Sequence, residues 1–348
     1  MSKETLVLDA FVKRAARREA RRNFFRKSGG FMAGAVVTAT MLAGCGDGNK
    51  GNSSSNGNGM SGASAAPVNG SAQQDIDVLN FALNLEYLEA QFYSFAVFGS
   101  GLRNSSLTGT GTQGAVTGGA AVPFSDPIVQ QYAREIAGDE IAHVNFLRTT
   151  LASAAVAQPA INISGTDPNG AFSKAAQAAG VVAAGAVFNP YADDNSFLLG
   201  AFIFEDVGVT AYKGASPLIS NATYLEAAAG ILAAEAYHAS LIRTVLYSKG
   251  MATPVAAANA NLITNAGKIS DARDSLDGST DDDQGIAANG TGTATASNIV
   301  PTDANGIAYS RSAGQVLNIV YLNKAAVTSG GFFPAGINGN IKTSAASG

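Results

Sequence analysis

The sequence predicts an all-α fold: a four-helix bundle with a long crossover between its second and third helices and an irregular C-terminal extension. Three observations carry this. Long segments place apolar residues at helical spacing, as Ile76, Leu79, Leu83, Leu88, Phe92 and Phe95 do in the first. Stretches rich in Gly, Thr, Ser, Asn and Pro separate these segments. A motif also repeats: Glu140-Ile-Ala-His143 and Glu235-Ala-Tyr-His238 each set an imidazole three residues after a carboxylate, on one face of a helix. These are the only 2 histidines in 348 residues. With so few glutamates, the chance that a given His follows one at this spacing is about 3%. Aligning the two motifs also aligns Arg148 with Arg243, Thr149 with Thr244 and Leu151 with Leu246, all at one offset of 95 residues.

Taken in order, the first helix is expected from about Asp75, as N-cap or first-turn anion, to Phe98. Gly99 to Val122 is a Gly/Thr/Ser loop. The second helix opens at Ser125-Asp126-Pro127, with Pro in the first turn, and runs to about Ala155. The crossover, residues 156–192, contains Pro159, Asp167-Pro168-Asn169-Gly170 and Asn189-Pro190, with a short Ala-rich helix from Ser173 to about Ala184. Its length lets the second and third helices run parallel, where a short loop would force them antiparallel. The third helix spans about Asp194 to Lys213. After a Gly214 to Pro217 turn, the fourth spans about Leu218 to Lys249, closed by Gly250 as a C-cap residue.

Residues 251–348 form an Asp/Gly-rich extension packing on the bundle at 75–250. Asp271, Asp274, Asp277, Asp281, Asp282 and Asp283 read as a solvated loop, since a calcium loop would need the Gly and terminal Glu spacing of an EF-hand. A short helix is expected over Arg311 to Asn323, then an aromatic loop from Gly330 to Gly339. A net charge of −4 and a pI near 5.2 give no electrostatic reason to expect nucleic acid. One cysteine excludes an internal disulfide framework.

Glu86 and Glu205 lie in the first and third helical segments, each followed seven residues later by a tyrosine, Tyr93 and Tyr212, two turns along the same face. The chain thus reads Glu, Glu-x-x-His, Glu, Glu-x-x-His. Two divalent cations carry four positive charges, which four carboxylates balance while two imidazoles add nitrogen ligands. Glu89, one turn from Glu86, is the alternative acid of the first helix; the repeated Glu-to-Tyr spacing favours Glu86. Tyr93 and Tyr212 are candidate hydrogen-bond or electron donors, or simply core. Asp139 is either a carboxylate that orients a ligating imidazole or a surface acid, its twin position being Ala234. Arg148 and Arg243 read as salt-bridging bundle residues.

This order of residues resembles the ferritin-like superfamily, whose dimetal bundles present such a set inward. The Asp-rich run and the 330–339 loop are similar to the C-terminal part of bacterial ferritin-like proteins related to plant desiccation-related proteins, so the resemblance covers roughly residues 75 to 345. It implies that Glu86, Glu140, His143, Glu205, Glu235 and His238 hold two metal ions, iron as the leading reading and manganese as the other. Oxygen or peroxide is then the co-substrate, in Fe(II) oxidation, oxygen or peroxide reduction, or a dimanganese catalase reaction. The non-enzymatic alternative is a stress-protective surface protein whose metals brace the bundle.

The N-terminus reads as an address. Arg21-Arg22-Asn23-Phe24-Phe25 resembles the twin-arginine signal of the bacterial Tat pathway, followed by an apolar stretch too short and glycine-broken to persist as a membrane helix. Leu42-Ala43-Gly44-Cys45 resembles a lipobox. The expectation is export, a lipid anchor on Cys45 in the cell envelope, and a flexible tether over 46–74 reaching about 30 Å. A plain membrane anchor with a chance cysteine is the alternative.

Overall fold

The computed structural model describes residues 71–347; Arg21, Arg22, Cys45 and the tether before Ser71 lie outside them. The architecture is all-α, with one two-stranded ribbon. No helix among the described residues is long and apolar enough to cross a membrane.

Capping side chains fix where the four bundle helices begin. Helix α1 is Ala72–Phe98: Ser71 accepts the Gln74 N–H at its start, and Gly99, at φ +69°, ends it in the left-handed region that glycine enters freely. The start falls before the expected Asp75. That carboxylate is buried and accepts the N–H groups of Ser220 and Asn221 at 2.7 and 3.0 Å, tying α1 to the turn before the last bundle helix. Strand β1, Val116–Gly118, pairs in parallel with β2, Ile161–Ile163, stitching the first loop to the crossover. Between them α2, Pro127–Leu151, is capped by Asp126 and stops short of the expected Ala155, because Ala152 turns to φ +49°. Helix α3 is Ala171–Ala178, ending six residues before the expected Ala184, and Gly180 at φ +66° turns the chain away.

Helix α4 is Asp194–Ala215, capped by Asp193, and α5 is Ala222–Met251, capped by Asn221. The fourth helix therefore starts after Leu218, since Ser216–Leu218 forms a 3-10 turn first. Gly250 lies within α5 and does not cap it; a Cβ there would sit 2.7 Å from Ile263 Cγ1, so the glycine makes room for the extension. Helix α1 packs along α2, α4 packs along α5, and the two pairs face each other. An aromatic cluster around Phe92 fills one end, with Phe197 stacked at 5.7 Å between ring centroids, Phe172 and Tyr191 tilted against it and Phe204 edge-on.

The extension departs most from expectation. Its Asp-rich stretch begins as a helix, α6, Leu262–Asp277, and only part of it is solvated. Asp271 and Asp281 are exposed, but Asp277 and Asp283 are buried. Arg311 reaches Asp277 and Asp283, Arg273 reaches Asp283 and Asp206, and Arg243 of α5 reaches Asp206. Three guanidinium groups thus neutralise three carboxylates between bundle and extension, which is what makes burying them tolerable. Helix α7, Ala313–Tyr321, lies within the short helix expected over Arg311 to Asn323 and opens on a Ser312/Gln315 capping box.

Candidate metal centre

Mid-bundle, the helix faces converge. One ligand atom each from Glu86, Glu140, His143 and Glu235 lie within 4.8 Å of one another, and so do atoms of Glu140, Glu205 and His238. The six acids and imidazoles singled out in the sequence therefore meet, with Glu140 common to both groups. Among the described residues, both oxygens of Glu140, both of Glu235, Oε2 of Glu205 and Nδ1 of His238 are buried without a well-formed hydrogen bond, although Glu140 Oε1 and His238 Nδ1 approach to 3.1 Å. Orphaned buried acceptors are costly, and so many around one point fit a cation. Hard oxygens with two imidazole nitrogens suit iron or manganese.

Glu86 and Glu205 are each held by the opposite half of the bundle. Tyr93 of α1 donates its hydroxyl to Glu205 Oε1 on α4, and Tyr212 of α4 donates to Glu86 Oε1 on α1. With one oxygen so engaged, Oε2 of each glutamate is turned to the centre. Glu86 Oε2 lies 3.2 Å from His143 Nδ1, and Glu205 Oε2 lies 3.6 Å from His238 Nδ1. Burial, and the negative charge of the glutamate each tyrosine holds, push both phenols well above their usual value, so they remain donors.

Without metal, protons occupy the centre. Burial pushes Glu86 up to about 7 and Glu205 to about 8, and burial with the neighbouring acids pushes Glu235 well above the carboxylate range. Burial also works against ionised Glu140, but His143 and His238 more than offset it and hold that group below the ordinary range. Burial lowers the imidazoles too, yet Glu86 and Glu140 around His143, and Glu205, Asp139 and Glu140 around His238, push them to about 11 and about 10.

Asp139 places its Oδ2 3.6 Å from His238 Nε2, across the seam between α2 and α5. The Asp139 side chain is 26% exposed and that of His143 12%, so the centre approaches solvent along this seam. On the opposite side, a narrow cavity of about 20 Å³ between Glu89, Gly208 and Tyr212 is closed by Ile319, Val320 and Phe332 of the extension. Sequence reasoning ranked Glu89 behind Glu86. The structure buries both, and the i, i+3 spacing that puts them on one face was the available signal.

The ferritin-like domain family matches residues 74–248, which hold all six converging residues. The ferritin-like catalase Nec2 of Nesocodon mauritianus is 29% identical over 277 residues, 79% of this chain and 86% of that protein. The desiccation-related protein PCC13-62 of Craterostigma plantagineum is 30% identical over 184 residues, 51% of this chain and 54% of that protein. No solved structure matches significantly. These matches meet the expectation drawn from the Glu and Glu-x-x-His order: the chain belongs to the ferritin-like domain family.

Proposed function

We propose that this protein holds a pair of iron or manganese ions and consumes peroxide. The observation that carries the reading is the position of Glu140, whose carboxylate belongs to both ligand groups and so sets two ions side by side. Bound there, a redox-active pair would supply two electrons and take them back: one peroxide gains two electrons and two protons and becomes two waters, while a second gives up the same and leaves as dioxygen. The protein's own part is to hold Glu86 and Glu205 through Tyr212 and Tyr93, and to keep the bundle interior dry. It also leaves the α2–α5 seam, beside Asp139 and His143, as the side nearest solvent. The likeness to a protein named a ferritin-like catalase supports peroxide over the broader set of oxygen reactions.

The test is to load the protein with manganese or iron and follow dioxygen release from hydrogen peroxide. Wild type should release it and Glu140→Gln should not. Two bound ions with no consumption of peroxide, and none of oxygen with Fe(II), would overturn the reading. The likeness to a desiccation-related protein supports a second one, in which the ions brace the bundle: loading then raises the melting temperature without turnover. The proposed setting is the cell envelope, supported by Arg21-Arg22 and by Cys45 at the end of a lipobox-like stretch. Normal membrane attachment of a Cys45→Ala protein would defeat a lipid anchor on Cys45.

A further inference from the structure

We propose that Glu89 is a seventh protein ligand of the dimetal centre, on the Glu235 side, and that Gly208 is a glycine in order to admit it. The proposal rests on the metal-centre reading above. Helices α1 and α4 repeat at an offset of 119 residues, which aligns Glu86 with Glu205 and Tyr93 with Tyr212. At the same offset Glu89 aligns with Gly208. The two halves therefore share ligand and tyrosine, and at this position one half carries a carboxylate where the other has no side chain.

The vacancy at Gly208 is filled by acids. A Cβ on Gly208 would stand 3.0 Å from the Glu235 carboxyl carbon, closer still to its Oε2, and 3.5 Å from Glu89 Oε1. Two carboxylates from α1 and α5 thus approach the bare backbone of α4 at the same place. Glu235 Oε1 lies 3.8 Å from His143 Nδ1, but its Oε2, on the Gly208 side, is buried without a partner. Glu89 is buried, at 6% exposure. The cavity it shares with Gly208 is otherwise walled by Tyr212 and by apolar side chains such as Leu85, Phe204, Val320 and Phe332, with no lysine, arginine or histidine among its lining residues. Two buried carboxylates facing one gap call for a cation. Glu89 stands outside the groups whose atoms lie within 4.8 Å, so it adds to the six and replaces none of them. A fifth carboxylate on one side also makes the two metal positions inequivalent.

The test is anaerobic titration of the full-length protein with Mn²⁺, read by calorimetry and by electron paramagnetic resonance. Wild type should bind two ions and show the signal of a coupled pair. Glu89→Gln, matched in size, should keep one ion, lose at least tenfold in affinity for the other, and lose the coupled signal at a Mn²⁺ concentration that saturates wild type. Gly208→Ala, which drives a methyl against Glu235, should do the same. Gly230→Ala, with nothing within 4 Å of the added carbon, should bind as wild type does. Two ions at wild-type affinity and an unchanged spectrum in Glu89→Gln would overturn the proposal while leaving the dimetal reading intact. Fewer than two ions in wild type would overturn both.

Discussion

Replacing Arg311 with Met should be among the most destabilising single changes in the extension. The guanidinium is 1% exposed and donates to Asp277, to Asp283 Oδ2 at 2.9 Å and to Thr210 Oγ1 at 2.9 Å. Methionine fills much of the volume but leaves Asp277 buried with no cation and Asp283 with Arg273 alone. Removing one partner of a buried ion pair costs about 3–5 kcal/mol, because the other charge stays behind. For a chain of this size that is a fall of about 6–20 °C in melting temperature. The loss carries a pH signature. Burial already raises Asp277 in the native protein, and Arg311 opposes that rise. Without Arg311 the folded value climbs further above the unfolded one. A group raised in this way favours the folded state when protonated, and that contribution is lost as pH rises through the folded value. Urea unfolding of metal-free wild type and Arg311→Met at pH 5 and pH 8 should therefore show the larger deficit at pH 8. A deficit below about 1 kcal/mol at pH 8 would refute the claim that this network fastens the extension to the bundle.

Metal loading should release protons, because His143, His238 and Glu205 hold them at neutral pH without metal and must give them up to ligate. Calorimetry at pH 7 in buffers of different ionisation heat measures this, with affinity rising from pH 6 to 8; zero release would contradict the electrostatics of the centre. Tyr93→Phe and Tyr212→Phe should each cost the loaded protein about 1.5–3 kcal/mol in urea unfolding, by nearly equal amounts, since each removes one hydroxyl from a ligating carboxylate. Asp139→Asn should weaken binding of one ion by about 10–100-fold in a metal titration, because His238 loses the carboxylate beside its Nε2.

The centre was legible because its chemistry is rare in this sequence. Two histidines, each three residues after a glutamate, can be paired by inspection, and the tyrosine spacing marks Glu86 and Glu205. The starts of α2, at Ser125-Asp126-Pro127, and of α4, at Asp194, were readable from local residue types alone. Helix α6 was not. Its buried face includes Ser270, Arg273 and Asp277, residues that look solvated until partners from α4 and from beyond residue 280 are known. Charge neutralisation across such sequence distances has no periodicity to detect. Glu89 was ranked second for a related reason. A pattern of one acid per helix leaves no place for it, and the place it has is created by a side chain that Gly208 lacks.

The internal repeat also explains what encloses the centre. Between α1 and α4 the halves are offset by 119 residues and between α2 and α5 by 95, so the long connection at 99–126 in the first half shrinks to the short turn at 216–221 in the second. The twin arginines answer that difference. Arg148, at the end of α2, donates to Tyr87 Oη and the Thr108 carbonyl, holding the long loop on the bundle. Arg243 has no such loop to hold; it donates to the carbonyls of Gln284, Gly285, Asn298 and Ile299 in the extension and to Asp206. Equivalent positions thus fasten different covers. Because the extension's Val320 and Phe332 wall the cavity at Glu89, Arg243→Met should speed hydrogen exchange of the α4 amides around Gly208, whereas Arg148→Met should leave them protected.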